Sequence, residues 1–238
     1  CTGGLSHTLT AYTKKDNKDK VTPVLWFHIK CLPEYQQRAL SLITGIFSDY
    51  NLEDRSRIRE IVMREFAWHE HSAHSEGYSL ASTRALSHLS LAGVYNEYLS
   101  GMTSYLAIKD LAANYDDKEN ELLIILQKIA HYVFNRNNML FSATADETEL
   151  QTFINNGKAI IDAVPAIEAE KIAITPPQVA IHDAFITSAE VVYAVEGGNL
   201  LDNCRDYNGH FEVLKSYLSR DYLWNSVRQM GGAYGCFI

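Results

Sequence analysis

The sequence has 238 residues, enough for one large domain or two smaller domains with a buried core. Hydrophobic residues make up 47% of the chain and charged residues 21%, a composition that excludes a disordered or collagen-like protein. The formal net charge of −8 would repel phosphate backbones. The sequence also lacks an export signal and an apolar run of about 18 residues, so we predict neither a nucleic-acid partner nor a membrane partner.

The first 30 residues show the pattern of two β-strands. Residues 5–12 and 24–29 are rich in strand-forming side chains, and a polar segment over residues 14–20 predicts a turn between them. The second of these segments is apolar at almost every position, which is typical of a strand covered on both faces. The chain is therefore expected to begin with a hairpin.

The middle of the chain is predicted to be mostly helical. Apolar residues at helical spacing predict helices over residues 34–48, from about residue 52 to the His/Ser-rich stretch 69–75, and over 78–99, 102–113 and 118–135. Residues 139–145 predict a short strand, and Asp146 predicts the N-cap of a further helix that carries Leu150, Phe153 and Ile154. Because strands and helices are segregated, we expect an α+β sandwich with helices on one face of a mainly antiparallel sheet.

A domain boundary is predicted where prolines interrupt the pattern. Residues 163–177 contain Pro165 and the pair Pro176-Pro177 and are interpreted as a linker. A complete α+β domain over residues 1–162 would precede it, and a second, truncated domain would begin at residue 178. That second unit is predicted to hold a strand over 185–196, a helix over 210–224 and a further strand entered at Val227. The chain starts at Cys1 and ends inside an apolar stretch, so we expect a segment of a longer protein.

The cysteines and histidines offer two candidate metal patterns, and neither has the expected spacing. Cys1, Cys31, Cys204 and Cys236 form no C-x-x-C pair, so reduced, packed thiols are predicted. The cluster His69-Glu70-His71-x-x-His74 matches neither the His-Glu-x-x-His motif nor its inverse, His-x-x-Glu-His. It therefore predicts a solvated helix end without a metal.

The stretch Gly231-Gly232-Ala233-Tyr234-Gly235 is the main candidate for a functional site. It is neither a Walker loop nor a dinucleotide fingerprint, and its bare backbone would let another chain approach closely. The phenol of Tyr234 and the guanidinium of Arg228 could hydrogen-bond a peptide carbonyl or a developing oxyanion. The alternative is an ordinary turn with an exposed arginine and a half-buried tyrosine.

A family resemblance favours the functional interpretation. The string YLSRDYLWNSVRQMGGAYG over residues 217–235 resembles the C-terminal half of pitrilysin/insulinase-type zinc metallopeptidases, most closely the presequence-protease branch. Thr2-Gly3-Gly4-Leu5-Ser6 is similar to the opening strand of the same half, and Gly77-Tyr78-Ser79-Leu80-Ala81 to a helical stretch within it. The resemblance covers nearly the whole chain, in order.

The resemblance implies a clamshell of two halves, each with two α+β domains of the metallopeptidase type, around a chamber in which unfolded peptides are cut. The N-terminal half would supply His-x-x-Glu-His and the zinc ion. This chain has no such motif, so we expect no cofactor here and no cleavage by this segment alone. Arg228 and Tyr234 would contact the substrate near the scissile bond, with Gly231, Gly232 and Gly235 in the substrate loop.

The implied partners are the N-terminal half of the same polypeptide and unfolded peptides. The expected location is a soluble compartment, the bacterial cytoplasm or an organelle lumen. Two alternatives remain open. One is a non-peptidase structural member of the same superfamily, which includes core subunits of respiratory complexes. The other is an autonomous metal- or peptide-binding domain that uses the cluster from His69 to His74. An upstream His-x-x-Glu-His motif would argue against the first, and a zinc titration would test the second.

Overall fold

The computed structural model describes residues 3–15, 17–168, 182–186, 190–200 and 207–238. The chain divides into two compact units, which we call the N-terminal unit (Cys1–Glu196) and the C-terminal unit (Gly197–Ile238). The boundaries predicted at residues 162 and 178 refer to complete domains and stay a prediction.

The N-terminal unit begins with an antiparallel hairpin of two long strands. Strand β1 spans Gly4–Lys14 and strand β2 spans Asn17–Lys30, with an irregularity in the pairing between Thr13 and Lys14. Leu5 lies opposite Ile29, and this apolar pairing sets the register for the whole ladder. Both predicted strands are confirmed. Each is longer than predicted because backbone pairing continues through polar residues that predicted a turn.

Helices make up most of the rest of the N-terminal unit. They are α1 (Gln36–Ser48), preceded by a single 3₁₀ turn at Pro33–Tyr35, then α2 (Arg55–Ser75), α3 (Gly77–Ser87), α4 (Leu91–Ser100), α5 (Met102–Ala113), α6 (Tyr115–Val133) and α7 (Glu147–Ala163). Another 3₁₀ turn lies at Arg136–Asn138. The helical middle of the chain is thus confirmed.

Two helix boundaries differ from the predictions. The predicted helix over 78–99 is divided because the hydroxyl of Ser90 accepts a hydrogen bond from the Gly93 amide at 3.0 Å and caps α4. Helix α2 does not fade at residues 69–75. It continues because Ala73 is buried and the Glu76 amide still donates to the carbonyl of Ser72 at 2.8 Å.

The predicted cap at Asp146 is confirmed, and the strand predicted just before it is wrong. The Asp146 carboxylate accepts a hydrogen bond from the Glu149 amide at 3.0 Å at the start of α7. Residues 139–145 have no strand partner. The apolar side chains of Met139 and Phe141 instead pack against the core, which accounts for the apolar pattern that predicted a strand.

The largest buried cluster in the described residues lies between α1 and α7. Leu40, Ile43 and Phe47 of α1 pack against Ile160 of α7 and against Val164. Phe27 and Ile29 of β2 also contact this cluster. The ring centroids of Phe27 and Phe47 lie 5.0 Å apart in an edge-to-face arrangement. Hairpin and helices therefore share one hydrophobic core.

A buried carboxylate joins three of the helices. Glu97 near the end of α4 is 3% exposed, and its Oε1 accepts hydrogen bonds from the amide and the hydroxyl of Thr103, both at 2.9 Å. Arg84 of α3 donates to the same oxygen at 3.3 Å and to Asp183 at 2.7 Å. This network connects α3, α4, α5 and residues 182–186. Because its charges are mostly removed from water, removing the arginine would leave a buried charge without compensation.

Residues 190–196 also pack on the N-terminal unit. The ring centroids of Tyr193 and Tyr78 lie 6.3 Å apart, and the Tyr193 hydroxyl donates to the carbonyl of Ser75 at 3.4 Å. A strand was predicted over residues 185–196. Residues 185–186 and 190–196 are not in a strand, and residues 187–189 lie outside the described part of the chain.

The C-terminal unit is built around one continuous helix. It begins as α8 (His210–Tyr217) and continues as a π-helix over Leu218–Met230, in which hydrogen bonds run from residue i to i+5. The helix predicted over 210–224 is confirmed. The strand predicted from Val227 is wrong, because this residue lies inside the helix and its carbonyl takes part in closing the helix end.

The described residues therefore form an α+β fold with one two-stranded antiparallel sheet. The predicted fold class is confirmed at that level. Among the described helices, none has the length and apolar character needed to cross a membrane.

Candidate functional site

The glycine stretch ends the long helix of the C-terminal unit. The Gly232 amide donates to the carbonyl of Arg228 at 3.1 Å, and the Ala233 amide donates to that of Val227 at 3.2 Å. Gly232 has a φ of +74°, a conformation that side chains with a Cβ atom disfavour. A Cβ atom on Gly231 would lie 2.5 Å from the Val227 carbonyl oxygen. Helix termination therefore explains both glycines, and their predicted contact with a substrate stays a prediction.

Arg228 lies in the last turn of this helix and is exposed. Its guanidinium carbon stands 4.3 Å from the centroid of the Trp224 ring, a cation–π contact between residues four apart on the helix. Within the described residues, no carboxylate forms an ion pair with Arg228. The N–H groups of the guanidinium are therefore free to donate to a ligand.

Tyr234 follows the glycine turn and is 85% exposed, more than the half-buried tyrosine of the alternative interpretation. In the described part of the chain its ring and hydroxyl contact no other side chain. No hydrogen bond joins it to Arg228. The structure thus places the two predicted residues on either side of one turn, each presenting hydrogen-bond donors to solvent.

The start of the same helix is held by aromatic packing. The rings of Tyr207 and Phe211 stack with centroids 5.5 Å apart, and the Tyr207 hydroxyl donates to Glu212 at 3.0 Å. This hydrogen bond raises the pKa of Tyr207 above its ordinary value, because it stabilises the protonated phenol next to a carboxylate. The phenol therefore stays a donor to Glu212 at neutral pH.

Two family models match most of the chain. Residues 1–111 match the family described as associated with peptidases of family M16, subgroup C, and residues 182–238 match the family described as the PreP C-terminal domain. The second match includes the long helix, the glycine turn, Arg228 and Tyr234. The chain is a segment of the C-terminal half of a pitrilysin-family protein.

Curated relatives of this pitrilysin-family segment are much longer than the segment itself. Protein HypA of Clostridium perfringens is 30% identical over 236 residues, which cover 99% of this chain and 24% of that protein. Presequence protease 1 of Arabidopsis thaliana, chloroplastic/mitochondrial, is 22% identical over 99% of this chain and 22% of its own length. The mitochondrial presequence protease of Xenopus laevis is 25% identical over 74% of this chain and 17% of its own length. The segment spans about a quarter or less of each relative.

The histidine cluster of this pitrilysin-family segment lies on the last turns of α2. His69 packs its ring against Trp68 with centroids 4.9 Å apart, and His71 is exposed. Across the described residues, no three His, Cys, Asp or Glu side chains come together in a group that could hold a metal ion. Whether the histidines bind zinc in solution stays a matter for the titration.

The cysteines are only partly described. Cys31 and Cys236 are free thiols and half-buried, and Cys1 and Cys204 lie outside the described residues. Trp224 is the site residue that the sequence analysis missed. Its spacing of four residues from Arg228 on a predicted helix was the available signal.

Proposed function

We propose that this segment belongs to a zinc-dependent metalloendopeptidase, in which it forms part of the wall of an enclosed chamber and contacts peptide substrates through Arg228 and Tyr234. The supporting observation is the end of the long helix. Both side chains are exposed there, neither is used in an ion pair or hydrogen bond within the described residues, and both lie in the region that matches the PreP C-terminal domain.

The two side chains suit a peptide whose carbonyl oxygen gains negative charge. The guanidinium is permanently charged and directional, and the phenol is a neutral donor. Donors placed before the reaction stabilise the developing charge without reorganising, and a single one contributes about 3–4 kcal/mol to lowering the barrier. Arg228 and Tyr234 would hold the peptide carbonyl, and Gly231, Gly232 and Gly235 would leave space for its backbone.

The described residues do not fit the zinc ion that the proposed activity requires. They bring together no donor set of three or more side chains, and the sequence lacks His-x-x-Glu-His. In this proposal, zinc is bound by the N-terminal half of the same polypeptide, which is also the partner of this segment. No reaction step is assigned to residues of this chain beyond substrate binding and charge stabilisation.

The proposal includes a larger sheet than the hairpin. Within the described residues, β1 and β2 pair only with each other, so each strand has one edge without a strand partner. We infer that further strands of the full-length protein complete a sandwich with helices on one face. Such pairing would cover edges that would otherwise attract other chains.

The test uses the full-length protein and a fluorogenic peptide. Arg228→Ala and Tyr234→Phe should each lower kcat by about 100-fold or more, because each removes a donor to the developing oxyanion. The zinc content, measured by elemental analysis, should not change. Arg220→Ala is the matched control, since Arg220 is an exposed arginine on the same helix. Wild-type kinetics in both site variants would refute the substrate-binding role.

The upstream sequence provides an independent test. The proposal requires a His-x-x-Glu-His motif in the N-terminal half of the full-length protein. Its absence would contradict the peptidase assignment and favour a non-peptidase structural member of the superfamily.

A further inference from the structure

We propose that Trp224 is a positioning residue that holds the guanidinium of Arg228 in the direction needed for substrate binding. This inference rests on the proposed function, because it assigns Trp224 a role through Arg228. The carrying observation is the cation–π contact of 4.3 Å between the guanidinium carbon and the Trp224 ring centroid.

The contact restricts a side chain that would otherwise be mobile. An exposed arginine has many rotamers, and ordering it on binding a ligand costs conformational entropy. An indole face within about 6 Å attracts the cation and favours the rotamers that lie over the ring. Trp224 is itself 42% exposed, so its ring forms a platform at the surface. Part of the ordering is therefore complete before a substrate arrives.

Stacking on an indole leaves the guanidinium able to donate hydrogen bonds. A carboxylate partner would orient the arginine too, but it would occupy the same N–H groups that a peptide carbonyl needs. Asp221 is an acidic residue on this helix, and its carboxylate accepts a hydrogen bond from Asn225 at 3.2 Å. Trp224 thus orients Arg228 through the ring face, and the N–H edge stays open to a ligand.

The backbone of Arg228 is fixed independently of its side chain. Its carbonyl accepts the hydrogen bond from the Gly232 amide in the turn that leads to Tyr234. The turn therefore holds the backbone of residue 228, and the indole holds the guanidinium. Together they constrain where Arg228 presents its charge relative to the loop carrying the second predicted donor.

The first measurement tests the contact itself. The full-length protein is labelled with 5-fluorotryptophan, and the ¹⁹F resonance of Trp224 is assigned as the one that disappears in Trp224→Phe. Arg228→Leu should shift this resonance, because it removes the cation from the ring face. Arg220→Leu, which changes an exposed arginine elsewhere on the helix, should leave it in place. A Trp224 resonance that does not respond to Arg228→Leu overturns the inference.

The second measurement tests the positioning role by a double-mutant cycle on peptide cleavage. Trp224→Leu should lower kcat/KM by about two- to fivefold, the range expected for an exposed cation–π contact, and Trp224→Phe should restore most of the loss. In an Arg228→Ala background, Trp224→Leu should have no further effect, because Trp224 acts through Arg228. The exposed tryptophan control, Trp68→Leu, should leave kcat/KM unchanged in both backgrounds.

The outcomes separate this inference from the proposed function. If Trp224→Leu lowers kcat/KM equally with and without Arg228, then Trp224 has a structural role only and the positioning inference is wrong. If Arg228→Ala leaves kinetics unchanged while the fluorine resonance still shifts in Arg228→Leu, the contact exists but the proposed substrate role of Arg228 is wrong.

Discussion

The two units of this chain are held together in different ways. The N-terminal unit has a shared apolar core and a buried ion-pair network, whereas none of the described residues of the C-terminal unit is buried. The order of the C-terminal unit comes from one helix, its closing turn and local ring contacts. Burial therefore stabilises the first unit, and the second presents exposed side chains suited to binding. The following substitutions test this contrast.

The largest loss of stability is expected from Arg84→Ala. This change leaves Glu97, which is 3% exposed, without its cation, and breaking a buried pair on one side costs about 3–5 kcal/mol of unfolding free energy. Urea unfolding followed by circular dichroism measures the change. Arg57→Ala is the matched control, because its ion pair with Glu60 is exposed and should contribute about 0.5 kcal/mol or less. Equal losses in the two variants would show that burial does not distinguish the pairs.

The next largest effect is expected in the apolar core. Ile160→Ala should lower the unfolding free energy by about 2–5 kcal/mol, because the side chain is 1% exposed and its removal leaves a cavity between α7 and α1. Ile154→Ala on the same helix should change stability by roughly 0.5 kcal/mol or less, since Ile154 is 57% exposed. Denaturation midpoints of both variants at unchanged urea dependence provide the comparison.

A smaller and local effect is expected in the C-terminal unit. Gly232→Ala places a Cβ atom at a φ of +74° and should destabilise the helix-closing turn by about 1–2 kcal/mol. Hydrogen exchange at the Ala233 amide should become faster, while the Ile160 amide should keep its protection. Gly235→Ala is the control, because its φ is not positive and its new Cβ would meet only the end of the Phe237 ring, at 3.3 Å. Unchanged exchange in Gly232→Ala would contradict the assigned turn.

The smallest effect on stability is expected from Tyr234→Phe. The ring is 85% exposed, so loss of the hydroxyl should change the unfolding free energy by roughly 0.5 kcal/mol or less. Peptide turnover should nevertheless decrease as proposed above. A variant that lost stability and activity together would show that Tyr234 has a packing role, and the contrast between the two units would weaken.

Local patterns predicted much of the secondary structure. The hairpin, the helical middle and the Asp146 cap follow from apolar periodicity and from a side chain that accepts a backbone hydrogen bond. Two strand predictions failed for tertiary reasons. The apolar residues near Phe141 pack against the core instead of pairing, and Val227 stays helical up to the glycine turn. An apolar run shows that a segment is buried or packed, but not against which partner.

The candidate site shows the same division. The string around Arg228 and Tyr234 was sufficient to place this chain in the C-terminal half of a pitrilysin-family protein, because side-chain types and their spacing carry that information. Only the tertiary structure showed that Gly231 and Gly232 close a helix, that Trp224 faces Arg228, and that Arg84 joins Glu97 to Asp183. The last of these connects residues 99 positions apart. Such contacts depend on how the chain folds back on itself, which periodicity and local propensity do not specify.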